Sequence, residues 1–243
     1  MRVLFVQQDH VSPVGPVGEA FAARGYDVEE FLVVPPQRFT TPDVEVAFPD
    51  PTRYDAIVPM GAPWSVYDRQ AIGSWLPDEL RLLRRADEHG VPVLGICFGA
   101  QALAAALGGR VEPAPRPEIG WTPIETDDES LVESGPWFQW HGDRWIAPAE
   151  ATELARTSVA PQAFVLRRSL GVQFHPEITP AQLEAWLDNG GDAYLIAQGM
   201  DPAALLARTR GFAAESAARA ARLVERFLDR VASRDLDSDR ARP

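Results

Sequence analysis

The sequence predicts an α/β fold: a mostly parallel central sheet, with a small region of antiparallel strands late in the chain. Three observations carry this. Up to Gly109, apolar runs of strand length alternate with helix-forming stretches, and glycine or proline marks the junctions between them. From Arg110 to Phe174 the texture changes to short alternating or apolar runs, as in G-W-T-P-I-E-T, F-Q-W-H and Q-A-F-V-L, which suit short strands and hairpins. Beyond Pro180 the chain returns to helix formers.

In order, Arg2 to Gln8 reads as a strand, followed by the loop V-S-P-V-G-P-V-G and a short helix from Glu19 to Arg24 that Gly25 stops. Asp27 to Val34 reads as a second strand, Pro35 to Tyr54 as a proline-punctuated loop, and Ala56 to Gly61 as a third strand. Leu76, Leu80, Leu83 and Asp87 fall near helical spacing, with Gly90 as the stop. V-P-V-L-G-I then runs as a strand into Cys97, and A-Q-A-L-A-A-A-L continues as a strong helix former ended by Gly108 and Gly109. Helices are expected over Pro180 to Asp188, Pro202 to Arg208 and Ala213 to Arg230, this helical last third packing Phe212, Leu223 and Phe227 onto the domain. One domain over residues 1–232 and a charged, frayed tail at 233–243 complete the reading.

Composition excludes several functions. A formal charge of −12 repels phosphate backbones and anionic headgroups, so neither nucleic acid nor a membrane surface is an expected partner. All 23 basic residues are arginine. Without lysine there is no phosphate-loop lysine, Schiff-base lysine or lysine general base. The apolar run Val3 to Val6 is too short for a signal-peptide core, and no run approaches the ~18 apolar residues of a membrane span. With one unpaired cysteine, the expected compartment is the cytoplasm. Four histidines and one cysteine without ligand-like spacing predict no metal site, and no cofactor is expected.

The lone thiol lies in G-I-C-F-G, Gly95 to Gly99. This has the form of a strand-to-helix elbow, where flanking glycines leave room for a strained backbone that exposes a nucleophile, and the following helix aims its positive end at the sulfur. The alternative for a lone cysteine is a small buried hydrophobe, and the flanking glycines at this turn weigh against it. A base would come from four histidines, of which His10 in a proline-rich loop and His89 beside Gly90 read as solvated surface residues. His175 follows an apparent strand, Gly171 to Phe174, and Glu177 sits two residues on, where a tight turn swings its carboxylate onto the ring. A strand-end histidine bonded to backbone is the alternative.

The pairing of G-I-C-F-G-A-Q with F-H-P-E, together with I-V-P-M-G-A-P before the cysteine and W-H-G-D before the histidine, resembles the class I glutamine amidotransferases. The resemblance runs from Val3 to about Phe227 and is nearest to stand-alone members related to the amidotransferase domain of GMP synthase and to γ-glutamyl peptidases. It implies a flavodoxin-like three-layer α/β/α fold with the nucleophile at the elbow. It implies that Cys97 attacks a glutamine side-chain amide, that His175 moves the proton and that Glu177 orients His175. The oxyanion hole would be the backbone N–H groups of Phe98 and Ala62. The family usually has glycine at the latter position, so a left-handed backbone there would strain alanine by roughly 1–2 kcal/mol. Gln101, Trp140, His141, Gly142 and Asp143 match substrate-binding positions, and W-S-V-Y-D, with Tyr67 and Asp68, matches a pocket-wall loop. The implied reaction yields glutamate and ammonia for a separate synthetase; the alternative is a free-standing hydrolase of γ-glutamyl peptides or conjugates.

Overall fold

A computed structural model describes residues 1–233. The elements are β1 (Arg2–Gln7), α1 (Gly15–Ala23), β2 (Asp27–Leu32), β3 (Ala56–Pro59), α2 (Arg69–Ile72), α3 (Leu76–Glu88), β4 (Val93–Ile96), α4 (Phe98–Ala106), β5 (Arg110–Thr122), β6 (Glu125–Thr126), β7 (Trp137–Ile146), β8 (Thr152–Arg156), β9 (Pro161–Leu166), β10 (Ser169–Val172), α5 (Pro180–Trp186), α6 (Asp192–Ala197) and α7 (Pro202–Arg230). The main sheet has the order β2-β1-β3-β4-β10-β9-β8-β6, and β5 pairs with β7 apart from it. The first five strands of that order are mutually parallel, and β9, β8 and β6 join antiparallel. Counting β10 as the fifth parallel strand gives the flavodoxin-like order 2-1-3-4-5.

Both faces of the parallel sheet are covered, which is why its strands read as unbroken apolar runs rather than as alternation. Val3 and Phe5 of β1 pack with Val17 and Phe21 of α1 and with Leu223, Val224 and Phe227 of α7. Leu4 and Val6, pointing the other way, pack with Leu82 and Leu83 of α3 and with Leu103 of α4. The expected three-layer α/β/α arrangement follows. Phe212 lies on a third cluster, stacked on Trp121 with ring centroids 4.7 Å apart. Among the described residues no helix is long and apolar enough to cross a membrane.

Several boundaries differ from expectation for identifiable reasons. α1 starts at Gly15, not Glu19, because Pro16 in its first turn has no N–H that the helix would need. The segments expected over 202–208 and 213–230 form one 29-residue helix running through Gly211. An interior glycine costs about 1 kcal/mol, and α7 is anchored by Leu205 before it and by Leu223 to Leu228 after it. After α5 the chain kinks through Leu187–Gly191, with Gly190 at φ +101°, and forms the unanticipated α6. β2 and β3 end two residues early, although Val33, Val34 and Met60 still bond across to β1 or its extension. β10 lies over 169–172 rather than 171–174: Gln173 N–H still donates to Gln162 O of β9, but His175 N–H turns away to Phe138 O on β7. Of the tail expected at 233–243, all but Ser233 lies outside the described residues.

Glu79 in α3 is fully buried and accepts a 2.6 Å hydrogen bond from Gln8 Nε2. Burial pushes its carboxyl from 4.5 up to about 8, and the Gln8 bond lowers it only in part. The folded protein therefore holds a proton that the unfolded chain releases, and stability declines as pH rises between these two values. Relative to wild type, Glu79→Gln is expected to gain stability as pH rises from 5 to 8.5, on the order of several kcal/mol in total, and so to unfold at a relatively higher temperature at the alkaline end. Thermal unfolding across that range checks it.

Candidate active site

The site lies beyond the carboxyl ends of β1, β3, β4 and β10, around the place where strand order reverses at β1. β4 ends at Ile96 and α4 begins at Phe98, so the whole change of direction falls on Cys97, at φ 49° and ψ −109°. A residue with a side chain pays about 1–3 kcal/mol to sit in such a region, and the surroundings must hold it there. Cys97 N–H donates to Val172 O on β10 at 2.8 Å, and Gly99 N–H to Met60 O beyond β3 at 2.9 Å. The two flanking glycines are required by close approach: a Cβ on Gly95 would meet Ala100 Cα at 2.8 Å, and one on Gly99 would overlap Pro59 O. Cys97 is only 4% exposed and heads a nine-residue helix whose dipole favours negative charge at the sulfur.

His175 is carried off the sheet by its backbone bond to β7, and Glu177 turns back onto it, with Nδ1 2.7 Å from Glu177 Oε1. Both side chains are buried. Burial pulls the imidazole pKa down, but the neighbouring Glu177 carboxylate and Cys97 outweigh it and hold the ring well above its ordinary value. Nε2 is buried without a hydrogen-bond partner among the described residues. A Cβ placed on Gly61 would lie 2.9 Å from His175 Cε1 and 3.8 Å from Cys97 Cβ, so the imidazole and the cysteine are neighbours across that glycine.

Ala62 is not strained. Among the described residues only Cys97 and Arg167 are non-glycine residues with positive φ, so the cost that a left-handed backbone would impose on alanine does not arise. Neither its N–H nor that of Phe98 donates to another backbone group among the described residues.

Gln101 is 3% exposed, and its Nε2 lies 3.2 Å from Gln173 Oε1 and 3.4 Å from Asp143 O. Gln173 was not singled out in the sequence, yet its Nε2 lies 3.5 Å from Cys97 Sγ. The signal was available: it stands two residues before His175, on the same side of an extended chain. Within W-H-G-D the residues diverge. The Asp143 carboxylate accepts from Ser65 Oγ at 2.6 Å and Tyr67 OH at 2.7 Å, joining the pocket-wall loop to β7. His141 instead ties β7 to β5, with Nδ1 2.9 Å from Asp143 O and Nε2 3.2 Å from Glu118 Oε2. Trp140 stacks over Tyr194 and meets Trp186 edge-on, and Gly142 borders open space. Asp68 caps α2 by accepting from Ala71 N–H. His89 is exposed as expected, whereas His10 is half-buried against Phe39, because the loop after β1 folds onto that ring.

These groups line a cavity of about 650 Å³ that contains Cys97, His175, Gln101, Ala62, Phe98 and the whole W-H-G-D segment. Its lining is rich in aromatic rings, Phe39, Trp64, Tyr67, Trp140, Trp186 and Tyr194, with Trp186 edge-on to His175 at 5.0 Å between centroids, and its carboxylates are Asp9 and Asp143. Burial raises the Asp9 carboxyl, against the lowering effect of its bonds from Val11 and Ser12. A second cavity of about 660 Å³, beside Glu118 and Thr157, is lined by neither Cys97, His175 nor Glu177. Among the described residues no group of three or more His, Cys, Asp or Glu side chains is placed to hold a metal.

The family model for glutamine amidotransferase class-I matches residues 20–191, which include the elbow and the His175–Glu177 pair. The chain belongs to the class I glutamine amidotransferase family. It is 41% identical over 135 residues to a GMP synthase (glutamine-hydrolyzing) of Thermomicrobium roseum, covering 52% of this chain and 24% of that protein. It is 33% identical over 147 residues to the Vibrio atlanticus enzyme of the same name, covering 56% and 27%. The chain thus spans about a quarter of the length of these amidotransferase relatives. Among solved structures, a glutamine amidotransferase of Thermotoga maritima superposes with a TM-score of 0.80 at 25% identity, over 94% of this chain and 98% of that one. A Methylobacillus flagellatus glutamine amido transferase gives 0.79 at 23%, over 94% of both, and shares the amidotransferase fold.

Proposed function

We propose that the protein hydrolyses the side-chain amide of glutamine through a thioester on Cys97. The observation that carries this reading is the thiol at a strained elbow, next to an imidazole that a buried carboxylate holds at 2.7 Å. Glu177 keeps the proton on Nδ1 and supports the imidazolium; Nε2 is left to serve the reacting groups. The Cys97 thiolate adds to the amide carbon, and the oxyanion forms between the N–H groups of Phe98 and Ala62, each donor contributing about 10²–10³ in rate. Collapse breaks the C–N bond as His175 passes its Nε2 proton to the departing nitrogen, which leaves as ammonia. Water, deprotonated by the same nitrogen, then cleaves the thioester, so that glutamate leaves and the resting pair returns. Gln101 and Asp143 are proposed to hold the amino-acid end of the substrate, with Trp140, His141 and Gly142 around it. An ammonia-accepting synthetase is proposed as a separate protein.

The aromatic lining of the cavity supports a second reading, in which the same thioester chemistry releases a larger amine from a γ-glutamyl peptide or conjugate. Purified protein alone is to be offered glutamine and γ-glutamyl dipeptides while glutamate release is measured. Turnover of glutamine supports the first reading; rapid dipeptide turnover with inert glutamine rejects it.

Two substitutions probe the upstream loop. Gly61→Ala forces the imidazole away from Cys97, and a displacement of this kind is expected to lower kcat by about 10²-fold. Ala62→Gly leaves the N–H in place and removes no strain, so kcat is expected to stay within about threefold of wild type. Steady-state assays of both variants check these values.

A further inference from the structure

We propose that Gln173 is a positioning residue for the nucleophile: its side-chain amide donates a hydrogen bond to the Cys97 sulfur and holds it as an oriented thiolate. This rests on the reading of Cys97 as nucleophile. Gln173 is fully buried, its Nε2 lies 3.5 Å from Sγ, and its backbone N–H is fixed to Gln162 O at 2.9 Å. Which end of the amide faces the sulfur is set by its neighbours. The Asp143 carbonyl can only accept, so it draws the Nε2 end of Gln101 at 3.4 Å. That same nitrogen then requires an acceptor from Gln173, which turns Oε1 toward Gln101 at 3.2 Å and leaves the N–H end on the sulfur. A chain of three groups thus ends in a donor aimed at Cys97, and a hydrogen bond to the charged form stabilises that form.

Around the sulfur, the charged groups are His175 with Glu177 behind it, from the segment after β10. The Asp143 carboxylate on β7 is engaged by Ser65 and Tyr67, and Asp9 beyond β1 by Val11 N–H and Ser12 Oγ. No acidic side chain lies in the first turn of α4. The Gln173 amide is therefore a neutral donor added to the imidazolium, and it also fixes the direction in which the sulfur lies.

Because Cys97 is the sole cysteine, alkylation by iodoacetamide reads this sulfur alone and needs no assumption about the substrate. Gln173→Met keeps the length and removes the donor. It is expected to move the midpoint of the alkylation rate against pH upward by about one unit and to lower kcat about 10- to 100-fold with KM within threefold. Gln173→Glu, which puts a carboxylate on the sulfur, moves the midpoint further in the same direction. Gln101→Met, which releases the Gln173 amide to rotate, gives a smaller upward shift and covers the case in which the position 173 variants do not fold. An unchanged midpoint in folded Gln173→Met or Gln101→Met overturns the proposal. A midpoint shifted in these variants, with glutamine inert to the wild type, rejects the glutamine reading and leaves the role of Gln173 standing.

Discussion

Cys97→Ala is expected to lower glutamate release from glutamine by about 10⁴-fold or more, since removing the nucleophile from a triad leaves only binding and oxyanion stabilisation. The folded state should survive. Alanine keeps the φ of the elbow at the same backbone cost, and the bonds from residue 97 N–H to Val172 O and from Gly99 N–H to Met60 O involve main chain alone. A melting temperature within a few degrees of wild type is therefore expected. A glutamine-like electrophile such as a diazo-ketone should add one equivalent of mass to the wild type and none to the variant. Full turnover by Cys97→Ala, or labelling at another residue, rejects the assignment of the nucleophile.

Glu177→Gln is expected to reduce kcat by about 10²–10⁴-fold, because a neutral amide can accept from Nδ1 but no longer supports the positive ring. Its pH signature is more specific than its size. In the wild type, burial opposes the charge on His175 while Glu177 and the Cys97 thiolate sustain it, and the balance leaves the imidazole protonated well above its ordinary value. With Glu177 neutral, burial faces only the thiolate, and the imidazole pKa falls. Acid to the departing ammonia is then lost at lower pH, so the alkaline limb of kcat against pH moves down by about one unit or more. A rate profile over pH 5 to 10 checks it. An unmoved alkaline limb means that the carboxylate does not support the ring.

The elbow and the H-P-E turn were legible because their geometry is made within a few residues. A glycine on either side of Cys97 answers a steric demand at Ala100 and Pro59, and Glu177 reaches His175 because only a proline stands between them. The same locality explains the misreadings. Gly211 resembles a helix break in one dimension, yet α7 continues through it because the sheet and the Trp121–Phe212 stack hold both halves. α6 follows a double glycine that reads as a loop, and it forms where Leu195 finds a buried seat in the third cluster.

The W-H-G-D segment shows the limit more sharply. Four adjacent residues share one motif, but Asp143 faces the loop of Ser65 and Tyr67, whereas His141 faces Glu118, its partner in the β5–β7 register. Neither destination can be read without knowing which strands pair.

What the sequence by itself determined is the α/β class, the thiol at a strand-helix junction, the histidine and carboxylate two residues apart, and the family. These rest on steric and periodic rules that operate over a turn or less. What only the tertiary structure decided is that β10 lies beside β4, bringing His175 to Cys97, that Ala62 is unstrained, and that Gln101 and Gln173 form a donor chain ending on the sulfur. Those contacts join residues about 70 or more positions apart, and they exist because burial of both sheet faces selects one strand order, which no local preference encodes.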